Sequence, residues 1–134
     1  MKLKKDTTVG NVFAIGWTWF LDAAIGGYVN AQIVYLIQDE DYFDVEEERE
    51  GRTSSNIYAI ALAFSMLWSF FAGYIYDRFQ RKMPCFLAAL IGASLVALCP
   101  QTSPSIFWLT VVRVVIMIAQ CQIVVCPIVM DYIK

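Results

Sequence analysis

The chain has 134 residues, of which 59% are hydrophobic, 15% aromatic and 16% charged, with a formal net charge of −2. Soluble chains are usually about half apolar, so this excess and the positive mean hydropathy mark a bilayer composition. It excludes a separate soluble catalytic domain, because four apolar stretches at about 12–34, 57–76, 83–99 and 106–130 take up most of the length.

In chain order, the first stretch follows the basic start Lys2, Lys4 and Lys5, which looks like a secretory signal. Its apolar run is longer than the roughly 7–15 residues of a signal core and three further stretches follow, so it reads as a retained anchor. Each stretch can cross a hydrocarbon core about 30 Å thick at about 1.5 Å per residue. The third, with 17 residues, is near the minimum. Between the first two lies an acidic loop, 39–52, in which eight acids, among them Glu46, Glu47 and Glu48, outnumber Arg49 and Arg52. It lacks apolar periodicity and is expected to be solvated and mobile.

Punctuation supports these boundaries. Pro84 opens the third span, where a missing amide costs nothing. Pro100 and Pro104 bracket the next connection, and Pro127 is expected to loosen the end of the fourth span. Small residues recur every fourth position at Ala23, Gly27 and Ala31 and again at Ala89, Ala93 and Ala97, a spacing that lets helix backbones approach and predicts close neighbours. The fold expected is an all-α membrane protein of four packed spans.

Basic residues set the orientation. With the N-terminus in the cytoplasm, that side holds Lys2, Lys4, Lys5, Arg78, Arg81, Lys82 and Lys134, seven of the ten basic residues, while Arg49 and Arg52 lie opposite in the acidic loop. Both termini are therefore expected inside. Since topology accounts for the basic residues, no nucleic-acid partner is implied. The chain contains no histidine and no CxxC pair, and Cys85, Cys99, Cys121 and Cys126 lie in or at the ends of spans, so neither a metal nor another cofactor is expected. Without a phosphate-cradling glycine loop or a carboxylate pair outside the acidic loop, the chain is not expected to be an enzyme.

Two ionisable residues fall inside spans, where a charge costs at least ~2.5–3.5 kcal/mol on insertion scales. Asp22 lies ten residues beyond Val12, roughly 15 Å in, and Arg113 lies seven residues into the fourth span, roughly 10 Å from the opposite edge. Both are expected to face a common polar cavity for a small solute or coupling ion, with Gln120 two turns from Arg113 on the same helix face. A structural Asp22–Arg113 pair, or an arginine reaching the headgroups, is the alternative.

The turn after the second span reads Gly73-Tyr-Ile-Tyr-Asp77-Arg78-Phe-Gln-Arg81-Lys82. It resembles the signature loop between helices two and three of the major facilitator superfamily, Gly-x-x-x-Asp-Arg-x-Gly-Arg-Lys or Arg, with Gln80 where the family usually has glycine. Trp19-Phe20-Leu21-Asp22 looks like the acidic site in helix one of many members. Arg113 looks like the arginine near the start of helix four, although Ile116 and Met117 follow where glycines are usual. Pro127 with Asp131 and Tyr132 is similar to the cytoplasmic end of helix four in sugar- and organic-ion-type members.

The resemblance covers the chain as helices one to four, the start of an N-terminal six-helix half. It implies alternating-access transport of a small solute, with Gly73, Asp77, Arg78, Arg81 and Lys82 as a cytoplasmic latch. Asp131 is expected to pair with Arg78 or Arg81 across the inner ends of spans two and four. Transporters of this kind use two halves that rock against each other, so four helices alone are not expected to transport. The expectation is a part of a full transporter, an assembly with other chains, or a transporter-derived structural subunit of a larger membrane complex.

Overall fold

The computed structural model describes residues 8–43, 45–79 and 82–125, which form α1 (Val9–Gln38), α2 (Glu47–Phe79), α3 (Lys82–Leu98) and α4 (Ile106–Val125), with a short 3-10 turn at Cys99–Thr102 before α4. No strand occurs among the described residues. All four helices, α3 with its 3-10 turn included, are long and apolar enough to cross a membrane. The Ser103 hydroxyl donates to the Tyr42 carbonyl at 2.5 Å, which ties the α3–α4 connection to the α1–α2 connection. The bundle thus has an acidic end, where these connections meet, and a basic end carrying the α2–α3 turn.

α1 and α2 overrun their apolar stretches. Once a helix leaves hydrocarbon nothing forces it to stop, because each added residue still closes a backbone hydrogen bond. The expected acidic loop 39–52 is therefore corrected. Residues 47–52 form the first turns of α2, with Glu47, Glu48 and Glu50 placed where a helix N-terminus favours negative charge. Arg49 pairs with Glu46 at 3.1 Å across that start. The remaining connection is anchored as well. The Asp39 carboxylate accepts from the Asp41 amide at 3.0 Å, and Phe43 is buried in the main core. The cytoplasmic turn expected at 77–82 is narrower too: Asp77 and Arg78 belong to the last turn of α2, and Lys82 is the first residue of α3.

α4 is the hub, and its main interfaces are with α2 and α3. From α2 it receives Ile57, Ala61, Ser65, Ala72 and Tyr76, buried positions at helical spacing whose small members bring the backbones close. α3 offers Ala88 and Gly92, and a Cβ built on Gly92 would lie 3.6 Å from the Ala119 Cβ. Toward the acidic end, Val29, Ile33, Leu36 and Ile37 of α1 complete a core with Ile57, Cys99, Leu109 and Ile116. The stripes Ala23-Gly27-Ala31 and Ala89-Ala93-Ala97 lie outside the buried contacts between these helices, and all six residues are exposed. The spacing makes a face permissive for a close neighbour; which face is used depends on where α4 sits. Large apolar side chains such as Phe13, Phe64, Phe70 and Phe107 also point outward, an arrangement suited to lipid.

Candidate functional site

Arg113 is 1% exposed, the largest fully buried side chain among the described residues. α4 delivers it there because Leu109 and Ile116, one turn to either side, are fully buried and lock that face inward. Its Nη2 donates to the Asn30 Oδ1 of α1 at 2.5 Å. Its Nη1 is buried without a hydrogen-bond partner. No carboxylate pairs with it among the described residues. The guanidinium borders a cavity of about 340 Å³ between α1, α2 and α4, where Asn30, Ser54, Ser55 and Tyr58 supply polar groups and Ile33, Val34 and Ile57 an apolar wall. A guanidinium is planar, permanently charged and rich in donors, so an idle N–H edge beside hydroxyls and an amide is suited to holding an anion or a carbonyl.

Asp22 and Gln120 border a second cavity, of about 270 Å³, between α1, α3 and α4. Asp22 is 8% exposed, and the walls around it are Leu21, Ile25, Ala88, Ala89, Gly92, Ala93, Ile116 and Ile123. Its carboxylate has no hydrogen bond among the described residues; only its backbone carbonyl is engaged, accepting from Gln120 Nε2 at 3.3 Å. Gly26 permits this crossing, since a Cβ there would lie 2.9 Å from the same Nε2. The expected single cavity is thus two cavities: Asp22 and Gln120 share one, and Arg113 lies in the other with Asn30 in place of an acid.

Helical rise explains the separation. Asp22 lies sixteen residues from the end of α1, roughly 24 Å, whereas Arg113 lies only seven residues from the start of α4, roughly 10 Å. Measured from the same end of the bundle, the two are about two and a half turns apart. Asn30, eight residues beyond Asp22, meets the arginine.

Of the expected latch, Gly73, Asp77, Arg78 and Lys82 are exposed at the basic end, and no side chain stands near Gly73. Arg81 and Asp131, and with Asp131 the expected pairing to the arginines, lie outside the described residues, as does Pro127. Several polar residues were missed in the sequence. Trp68 Nε1 donates to Gln122 Oε1 at 2.8 Å, the Tyr76 hydroxyl donates to the Gln122 carbonyl, and Cys121 Sγ donates to the Ser65 carbonyl at 3.5 Å, fastening α2 to α4 within the spans. The signal for these was available: polar side chains recurring inside apolar stretches, of which only Asp22, Arg113 and Gln120 were singled out. Asn30 and Tyr58 were missed for the same reason, and Ser54 and Ser55 fall between the acidic stretch 39–52 and the apolar stretch 57–76.

Comparison of the chain with models of protein families, with curated proteins and with solved structures returns no match.

Proposed function

We propose that this chain is part of a secondary transporter of a small solute, its four helices corresponding to the first four of a major facilitator superfamily half. The observation that carries the reading is Arg113, a permanent charge held inside a membrane-spanning helix beside a polar cavity. Intramembrane charge is costly to insert and marks solute pathways in proteins of this kind. The cavity's rim makes the same point, because Asn30, Ser55 and Tyr58 are exposed polar side chains close to large exposed apolar ones such as Val34, Tyr35 and Ile60. Such a rim is suited to water or further protein rather than hydrocarbon chains. The segment from Gly73 to Lys82 adds the family resemblance, and its basic charge supports a cytoplasmic position for that end of the bundle and for both termini.

Under this reading Asp77, Arg78, Arg81, Lys82 and Asp131 work as a conformational latch, and the exposed stripes of small residues receive further helices. The test is flux. The protein, purified from its membrane with whatever accompanies it and reconstituted into vesicles, is expected to exchange a small solute, and Asp77→Lys is expected to reduce the rate at least tenfold with expression intact. Absence of flux, together with co-purification in constant ratio with other membrane subunits, would instead establish the chain as a structural subunit.

A further inference from the structure

We propose that the Arg113 cavity binds a small organic monocarboxylate, with the carboxylate on the Arg113 guanidinium and the rest of the molecule between Tyr58, the two serines and the apolar wall. The inference deepens the transport reading by naming the ligand class of the same cavity. Four features of the cavity select that class. Arg113 is 1% exposed, lacks an acidic partner among the described residues and has an Nη1 without a hydrogen-bond acceptor, so the guanidinium is short of negative charge and of one acceptor. Asn30 orients the group by accepting from Nη2, which leaves the other nitrogen for a ligand. A carboxylate offers two coplanar oxygens matched to that planar donor edge.

One positive charge matches one negative charge, and no lysine or second arginine lines the cavity, which disfavours a dianion. The volume, about 340 Å³, accepts a small solute, and Ile33, Val34 and Ile57 give a short hydrocarbon chain an apolar surface while Ser54, Ser55 and Tyr58 provide hydroxyls for a polar substituent. An oxyanion could also arrive as a phospholipid headgroup. The enclosed guanidinium and the mixed apolar and hydroxyl lining favour the free carboxylate.

The experiment is equilibrium titration of the full chain in maltoside micelles with 3-hydroxybutyrate, its uncharged amide 3-hydroxybutyramide, inorganic phosphate and phosphatidylglycerol. The acid is expected to bind at least tenfold more tightly than the amide, and Arg113→Gln is expected to weaken it at least tenfold. Asn30→Asp places a carboxylate beside the guanidinium, a change compatible with folding, and is expected to abolish binding by occupying the arginine from within. Tyr58→Phe is expected to weaken binding a few-fold. Equal binding of acid and amide, undiminished binding in Asn30→Asp, or occupancy by phosphate or phosphatidylglycerol in preference to the acid would each overturn the proposal. Because the readout is binding, the two readings can fail separately. Carboxylate binding without flux would leave the site standing and remove transport, whereas flux of solutes with no carboxylate binding would do the reverse.

Discussion

The two cavities share two walls and differ in the third. α1 and α4 border both, and Arg113 and Gln120 are seven residues apart on α4, roughly 10 Å along its axis. Near the acidic end the third wall is α2, which contributes Ser54, Ser55 and Tyr58; lower down it is α3, which contributes Ala88, Ala89, Gly92 and Ala93. The same pair of helices therefore gives one ionisable group a polar surround and leaves the other a carboxylate without a hydrogen bond, facing the alanines of α3. A span's own sequence sets where a charge lies along the axis, but the neighbouring helix determines how that charge is accommodated.

The comparison breaks most completely if α2 is pushed off α4. Ala61 is fully buried on the α2 face that meets α4, one turn from Ile57 and Ser65. Ala61→Leu forces three extra carbons into that crossing, an overpacking that costs about 1–3 kcal/mol or more. The polar cavity loses its third wall, while the α3-walled cavity keeps its own. The expected result is a lower thermal midpoint in detergent and loss of any ligand response at Arg113; Ala63→Leu, on the exposed face of the same helix, should change neither.

Next in size is a pair of substitutions with opposite signs. Asn30→Leu removes the acceptor of Arg113 Nη2 and leaves a buried guanidinium further unsatisfied, at a cost of about 1–3 kcal/mol. Asp22→Asn removes a charge that has no partner among the described residues from an apolar surround, which is expected to raise stability by about 1 kcal/mol or more. Thermal unfolding of the two variants side by side measures both signs. Under the transport reading Asp22→Asn should also lose solute handling with expression intact. If both variants lose stability equally, the contrast between a supported and an unsupported charge is wrong.

How much of this was legible in the sequence follows from the same contrast. Hydropathy and length reveal four spans, because burial in lipid is a property of each segment alone. Asp22, Arg113 and Gln120 stand out for a similar reason. Their grouping was not legible. It depends on the register of α1 against α4, set here by Gly26 lying against Gln120 and by Asn30 reaching Arg113, and those contacts belong to pairs of helices. The small-residue stripes show the same limit. Ala61 and Ser65 have the four-residue spacing seen at Ala23, Gly27 and Ala31, yet only the first pair is buried against a helix of this chain. The helix ends were blurred because the acids of 47–52 read as loop by polarity, although at a helix N-terminus negative charge is favourable.

A smaller effect tests whether the α2 face is held by polar contacts as well as by shape. Gln122 accepts from Trp68 Nε1 and is itself buried, so Gln122→Leu leaves the indole N–H without its acceptor, at about 1 kcal/mol net. The expected signature is a thermal midpoint lowered by a few degrees. In a background where Trp68 is the only tryptophan, a shift in its fluorescence should accompany the change.

The smallest expected effect is the most informative about independence. A Cβ at Gly26 would sit 2.9 Å from Gln120 Nε2, and that nitrogen ends a flexible side chain, so in Gly26→Ala the glutamine swings aside and the helices stay in place. The long hydrogen bond to the Asp22 carbonyl, 3.3 Å, is lost, at about 0.5 kcal/mol. Replacing a mid-helix glycine with alanine returns about 0.5–1 kcal/mol, so the two nearly cancel and the thermal midpoint should move by less than about 2 °C. What changes is the polar lining beside Asp22, since Gln120 is its only polar companion apart from Thr18 in that cavity. Under the transport reading, solute handling that depends on Asp22 should shift a few-fold, while carboxylate affinity at Arg113, two turns away and walled by a different helix, should not move. A change in that affinity as large as the change in solute handling would show that the two cavities act as one.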